Sequence, residues 1–242
     1  VNKQRIAVLD AGSASMRMLV TRLRGLEYPV LPCKTPDHAD QLLRRKGGAV
    51  GACVIPVDLP TFDLRAALRF LRRLEPTGEL TFVASGQRPE AEGRRLLRRA
   101  GVEIALWDPV DDHTLRFQVN RALAGSEIVR GDRTLLRAPA FWPVVVSTGS
   151  RRKPARIYSL SSGGAYLATF APSVPGAPLS VDLPTPWGRT ALRARVVMTN
   201  VPGNFLRENL PVGMAIRFEQ TPPSVEQALA GWVDERLEVM GF

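Results

Sequence analysis

The sequence is poor in the residues from which most catalytic and metal centres are built. It holds two cysteines, Cys33 and Cys53, and two histidines, His38 and His113. No C-x-x-C or other metal-ligand spacing connects them, so no metal site is expected, and the thiols read as buried core residues of a reducing compartment. The histidines stand in the pairs Asp37-His38 and Asp112-His113, at helix starts and without ligand partners. A Gly-rich phosphate loop, a G-x-S-x-G elbow and an H-E-x-x-H helix are all missing, which excludes the commonest nucleotide-hydrolysing, esterase and metalloprotease chemistries. No apolar run reaches the ~18–20 residues of a membrane span. The opening VNKQRIAVLDAG has no signal-peptide pattern. A cytoplasmic chain that is not an enzyme and needs no cofactor is therefore expected.

What is present is length, apolar content and positive charge. The 242 residues suffice for two domains with separate cores, and 45% of them are hydrophobic. The formal charge is +10, with 20 basic and 14 acidic side chains in residues 1–124 and 13 and 9 in the rest. The excess is thus spread over both halves, with no basic tail and no basic stripe interleaved with aromatics. Many arginines come in pairs, such as Arg44-Arg45, Arg72-Arg73, Arg94-Arg95 and Arg98-Arg99. They read as solvated helix faces, and nucleic acid is not expected as a partner.

The two halves differ in pattern. Residues 5–9, 30–33, 52–57, 80–85 and 104–107 are short apolar runs that read as strands. Between them, 13–24, 36–45, 64–74, 89–100 and 111–123 carry apolar residues at helical spacing, and Gly101 marks a stop. Five such units predict a flavodoxin-like parallel sheet covered by helices. Beyond 124 the helical spacing gives way to strands at 141–147, 155–159, 165–169, 179–183, 191–200 and 214–218, separated by Pro/Gly-rich turns. Six short antiparallel strands predict a small closed barrel. The last segment, 223–239, places Val225, Leu229, Trp232, Val233 and Leu237 on one face of a helix that packs on the barrel or on a partner. The predicted boundaries are 1–124 for the first domain, 125–138 for a linker and arginine-bearing arm, and 139–242 for the barrel domain.

The arm contains Arg133 and Arg137, four positions apart, followed by the helix-breaking Ala138-Pro139. About twenty residues on, S-L-S-S-G-G at 159–164 reads as a polar turn between two apolar runs. Gly213, Ile216 and Phe218 then form G-x-x-(aliphatic)-x-F. In this order and separation the three landmarks resemble the PilZ family, whose signature is R-x-x-x-R on an N-terminal arm and [D/N]-x-S-x-x-G on the barrel surface. Ser161 and Gly164 match; Ser159 stands where the family has Asp or Asn.

The resemblance implies that Arg133, Arg137, Ser159, Ser161 and Gly164 bind cyclic di-GMP. The chemistry suits such a ligand, because guanidinium forks pair bidentately with phosphate or with the guanine O6/N7 edge and stack on bases. A mobile arm could order around it, and a glycine could let backbone approach or take positive φ. Serine at 159 is short and uncharged, so its guanine contact is expected to be weaker or lost. By the same resemblance the outputs are motility, type IV pili or biofilm behaviour. An adaptor that has lost the nucleotide is the alternative.

The first half resembles the receiver domain of response regulators. Fitting Leu59-Pro60 to that family's M-P pair places its phosphoacceptor position at Pro56, which has no nucleophile. Asp10 is present, but Ala11 replaces the second metal carboxylate. Ser85 stands for the hydroxyl residue, and Asp108 stands where the family has lysine. Neither Mg²⁺ binding nor phosphoryl transfer has its groups, and the half reads as a pseudo-receiver, with Asp58 as the alternative acceptor. In that family the last helix and strand form dimer or partner surfaces, which implies a protein partner or a homodimer. Trp107 and Phe117, in the last unit, read as core. Arg193 and Arg195 lie on a strand as solvated surface or as further phosphate contacts.

Overall fold

The structure is a computed structural model that describes residues 4–10, 12–35, 38, 41, 50–59, 64–72, 80–124, 135–206 and 209–241. The chain divides into two compact units, Val1–Asp132 with Met240–Phe242, and Arg133–Val239.

The first unit is built on strands β1 (Arg5–Leu9), β2 (Val30–Cys33), β3 (Val50–Pro56), β4 (Thr81–Gly86) and β5 (Ile104–Trp107). All pair in parallel in the order β2-β1-β3-β4-β5, the flavodoxin-like order that the alternation of strands and helices predicts. Every residue of β3 is buried, because a central parallel strand is covered on both faces. Side-chain alternation sorts the strands into two cores. Ile6, Val8 and Val54 face helices α1 (Ala14–Gly25) and α4 (Asp112–Leu123). Ala7, Leu9, Ile55 and Phe82 face α2 (Leu64–Arg72) and α3 (Ala91–Ala100). The helix expected at 36–45 lies almost wholly outside the described residues.

Local signals explain where these helices start and stop. Ser13 caps α1 through a bond from Met16 N to its Oγ, and Asp111 caps α4 by accepting from Thr114 N at 2.8 Å. Gly101 ends α3 in the left-handed region at φ 98°, which a residue with a Cβ adopts only at a cost. Cys33 and Cys53 are buried free thiols; burial pushes Cys33 up to about 11 and Cys53 further still. Phe117 is core, whereas Trp107 is only half-buried.

The second unit is a barrel. Strands β7 (Pro143–Thr148), β8 (Arg151–Ser161), β9 (Gly164–Ala168), β10 (Pro178–Thr185), β11 (Gly188–Asn200) and β12 (Gly213–Glu219) follow the order β8-β7-β10-β11-β12-β9. Pairing of β9 back onto β8 closes the ring, so the six predicted antiparallel strands form a closed barrel without a long exposed edge. Its interior is filled by Val146, Ile157, Leu160, Leu167, Val181, Leu183, Leu192 and Ile216. Helix α5 (Pro223–Met240) adds Leu229 to that core and sets Trp232 against Trp142, ring centroids 4.6 Å apart. Burying a leucine such as Leu229 contributes about 1.5–3 kcal/mol, which is what fastens the amphipathic helix to the barrel.

Two expectations are corrected here. Ser159 and Ser161 are not in a turn: β8 runs eleven residues, through Ser161, and only Ser162-Gly163 separates it from β9. S-L-S is therefore a polar–apolar–polar strand alternation, with Leu160 in the core between two serines outside it. The end of the arm is likewise structured. Ala138–Pro139 form a short strand, β6, that pairs with Leu160 and Ser159. Proline is tolerated there because a two-residue edge strand needs few donors.

Candidate functional site

The arm's end and the last residues of β8 meet on the barrel. Strand β6 runs antiparallel to β8, Ala138 opposite Leu160 and Pro139 opposite Ser159. The residue just before it, Arg137, directs Nη1 to Ser159 Oγ at 3.4 Å. Two positions earlier, Leu135 lies over the hairpin turn, so that a Cβ on Gly163 would fall 2.6 Å from Leu135 Cδ1. Leu135 was not legible as a site residue. Its only sequence signal is an apolar side chain between two arginines. Arg133 lies outside the described residues.

The strand partner of the arm carries a bulge. Ile157 pairs with Leu167 and Ser159 with Tyr166, which leaves Tyr158 as the extra residue. Tyr158 packs edge-on against Tyr166, centroids 5.8 Å apart. Tyr166 OH donates to Pro211 O at 2.6 Å; burial raises its pKa above the usual phenol range, with the Asn200 side chain opposing. An edge-to-face tyrosine pair thus brackets Ser159 in sequence and across the ladder, and sequence reasoning does not single out either ring.

The serines are less open than a surface turn would make them. Ser159 is 5% exposed and Ser161 2%, and Ser161 Oγ donates to Gly164 O at 3.1 Å. Ser161 therefore closes the hairpin. Gly164 has no positive φ. The need for glycine is a close approach of backbone, but the approaching group is another strand: a Cβ at 164 would overlap the Ile216 carbonyl oxygen. The same pairing puts Arg217 opposite Gly164 and Arg195 opposite Arg217. Arg195 is bound to Glu219 at 2.7 Å and to Gly176 O at 3.0 Å, so of the two readings of Arg195 the structure gives the surface ion pair. Arg193, opposite Glu219, is exposed on the same face.

In the first unit, Asp10 follows β1 and accepts from Gly12 N at 2.9 Å. Pro56 is the last residue of β3, opposite Ser85 of β4, and Asp58 lies two residues beyond it, exposed. Asp108 follows β5. Among the described residues no group of three or more His, Cys, Asp or Glu gathers, and no helix is long and apolar enough to cross a membrane.

No protein-family model matches the chain, and no curated protein does. Solved structures are similar to each half. The signal receiver domain of an HD domain-containing protein from Pseudomonas fluorescens Pf-5 is 20% identical with a TM-score of 0.43, covering 51% of this chain and 89% of that one. The PilZ domain with c-di-GMP of YcgR from Escherichia coli is 21% identical, TM-score 0.32, covering 45% and 93%. The Bacillus subtilis inhibitor of motility (MotI/DgrA) is 19% identical, TM-score 0.36, over 44% of this chain and 52% of that protein, about half its length. The first half resembles receiver domains and the second PilZ domains. The fold is set by the strand order and register given above; at these TM-scores the likenesses add no argument about ligand or activity.

Proposed function

We propose that the chain is a bacterial signalling effector whose PilZ-like barrel binds cyclic di-GMP through Arg137, Arg133 and Ser159, while the receiver-like half serves protein contacts. The observation that supports this reading is Arg137 beside Ser159, immediately ahead of the short strand that pairs with β8. A guanidinium there offers a planar fork to phosphate or guanine, and the adjacent tyrosine pair keeps the strand beneath it fixed. Ser161 and Gly164 take part by shaping the hairpin, with Gly164 leaving its rung without a side chain next to Arg217. In the receiver-like half Pro56 occupies the acceptor position, so partner contact without phosphorylation is the function proposed for it, in motility, pili or biofilm control. The domain limits proposed are 1–124, 125–138 and 139–242.

Calorimetric titration with cyclic di-GMP tests the reading: saturable binding, weakened in Arg137→Ala and Arg133→Ala, is expected. Absence of heat at high micromolar ligand rejects it. The second reading, an adaptor without nucleotide, is favoured by the serine at 159. It wins if Ser159→Asp alone creates binding where the natural chain has none.

A further inference from the structure

Beyond the nucleotide reading, one end of the barrel carries exposed apolar loop tips beside a cationic hairpin. Strand pairing defines that end. Ala168, which closes β9, and Asn200, which closes β11, are both opposite Gly213, which opens β12. The connections 169–177 and 201–212 therefore leave the barrel together. The β7–β8 hairpin reaches past the same rung: Ala168 pairs with Arg156, and five further residues of β8, from Arg151, extend beyond it.

Phe170 is 96% exposed and Val174 71% in one connection, and Phe205 and Leu206 are exposed in the other. The first connection is not loosely held. Thr169 N donates to Val212 O at 3.0 Å, Thr169 Oγ1 to Pro154 O at 3.3 Å, and Lys153 Nζ to Ala171 O at 3.2 Å. Gly176 N donates to Val196 O at 2.8 Å. Bonds at Thr169 and Ala171 hold the backbone on either side of Phe170, and exposed apolar residues grouped on neighbouring connections mark a contact surface. Arg151 and Arg152 are exposed on the hairpin, next to Lys153, with Asp182 3.9 Å from Arg152 as the neighbouring carboxylate.

We infer that this end docks on an anionic lipid bilayer surface. The apolar groups sit on separate projecting connections, not along a groove, which suits insertion into a fluid interface better than into a keyed protein pocket. The hairpin cations match phosphate headgroups, and apolar insertion with electrostatic attraction is how peripheral proteins bind reversibly. The full chain should co-sediment with phosphatidylcholine vesicles containing phosphatidylglycerol, weakly with phosphatidylcholine alone, and less as salt rises. Phe170→Ser and the double variant Arg151→Glu/Arg152→Glu should each lower the partition about tenfold or more. Arg98→Glu/Arg99→Glu on α3 should leave it unchanged, which separates this surface from the general positive charge. No binding to anionic vesicles, or binding undiminished by Phe170→Ser, overturns the inference. So does Phe170-dependent self-association in analytical ultracentrifugation without vesicles, which would make a second copy the occupant.

Discussion

Arg137 reaches Ser159 at 3.4 Å while the two residues after it are already hydrogen-bonded into the barrel as a strand. At that length a bond to a neutral hydroxyl is weak, whereas a phosphate oxygen would accept a shorter, charge-assisted one. The arm is thus registered on the barrel by its backbone, in the two residues that follow the guanidinium. Arg137→Ala should weaken cyclic di-GMP binding by about 1.5–3 kcal/mol, roughly 10- to 150-fold, in calorimetric titration. An unchanged affinity removes Arg137 from the site.

Gly164 and Gly213 stand at opposite ends of the β9–β12 ladder, where backbone presses on backbone: an added Cβ would overlap Ile216 O in one case and Leu167 O in the other. A carbonyl inside a paired strand cannot swing aside as a side-chain tip can. Gly164→Ala should cost about 1–3 kcal/mol in denaturant unfolding, the scale of an overpacked core. A melt matching the natural chain would mean that β9 and β12 separate readily.

Leu229 is the point at which α5 enters the barrel core. Leu229→Ala should cost about 2–5 kcal/mol, and the loss should be visible in Trp232 fluorescence as its packing on Trp142 loosens.

Asp111 supplies a pH-dependent element to the first unit. Burial pushes its carboxyl up, but hydrogen bonds from Thr114, together with the charge of His113, outweigh this and hold it below the usual carboxylate range. A depressed folded pKa stabilises above the unfolded value of about 3.9 and is lost as pH falls through the lower folded value. Asp111→Ala should cost roughly 0.5–2 kcal/mol at neutral pH. The difference from the natural chain should shrink in acid below about pH 4. A difference independent of pH would show that the carboxylate charge plays no part in the cap.

On the proposal that Pro56, the last residue of β3, takes the acceptor position, treatment with a small phosphodonor followed by intact-mass measurement should leave the chain unmodified. A phosphoryl adduct abolished by Asp58→Asn would instead make Asp58 the acceptor.

The elements most legible in the sequence are those in which one local rule decides. Ser13 and Asp111 each act on the backbone three residues on, and Gly101 through its own φ, and they bound helices where sequence reasoning puts their ends within two residues. The barrel strands also follow from alternation. The site was read less well, because its key geometry arises between strands. S-L-S-S-G-G has the composition of a turn, yet β9 draws Ser159 and Ser161 into a ladder. Ala138-Pro139 has the composition of a loop, yet the edge of β8 opposite its ladder with β9 gives it a partner. The role of Gly164 was sought in a ligand and lies in β12, a contact between residues more than fifty positions apart.

The extra residue at Tyr158 inverts the phase of everything after it. Ile157 and Leu160 both point into the core, although plain alternation would put them on opposite faces. Were the ladder to run straight through Tyr158 without the bulge, Leu160 would turn to the outside and both serine hydroxyls into the oily interior. Whatever recognition chemistry this surface supports is thus contingent on where the ladder skips a rung, at a residue that need never touch the bound molecule.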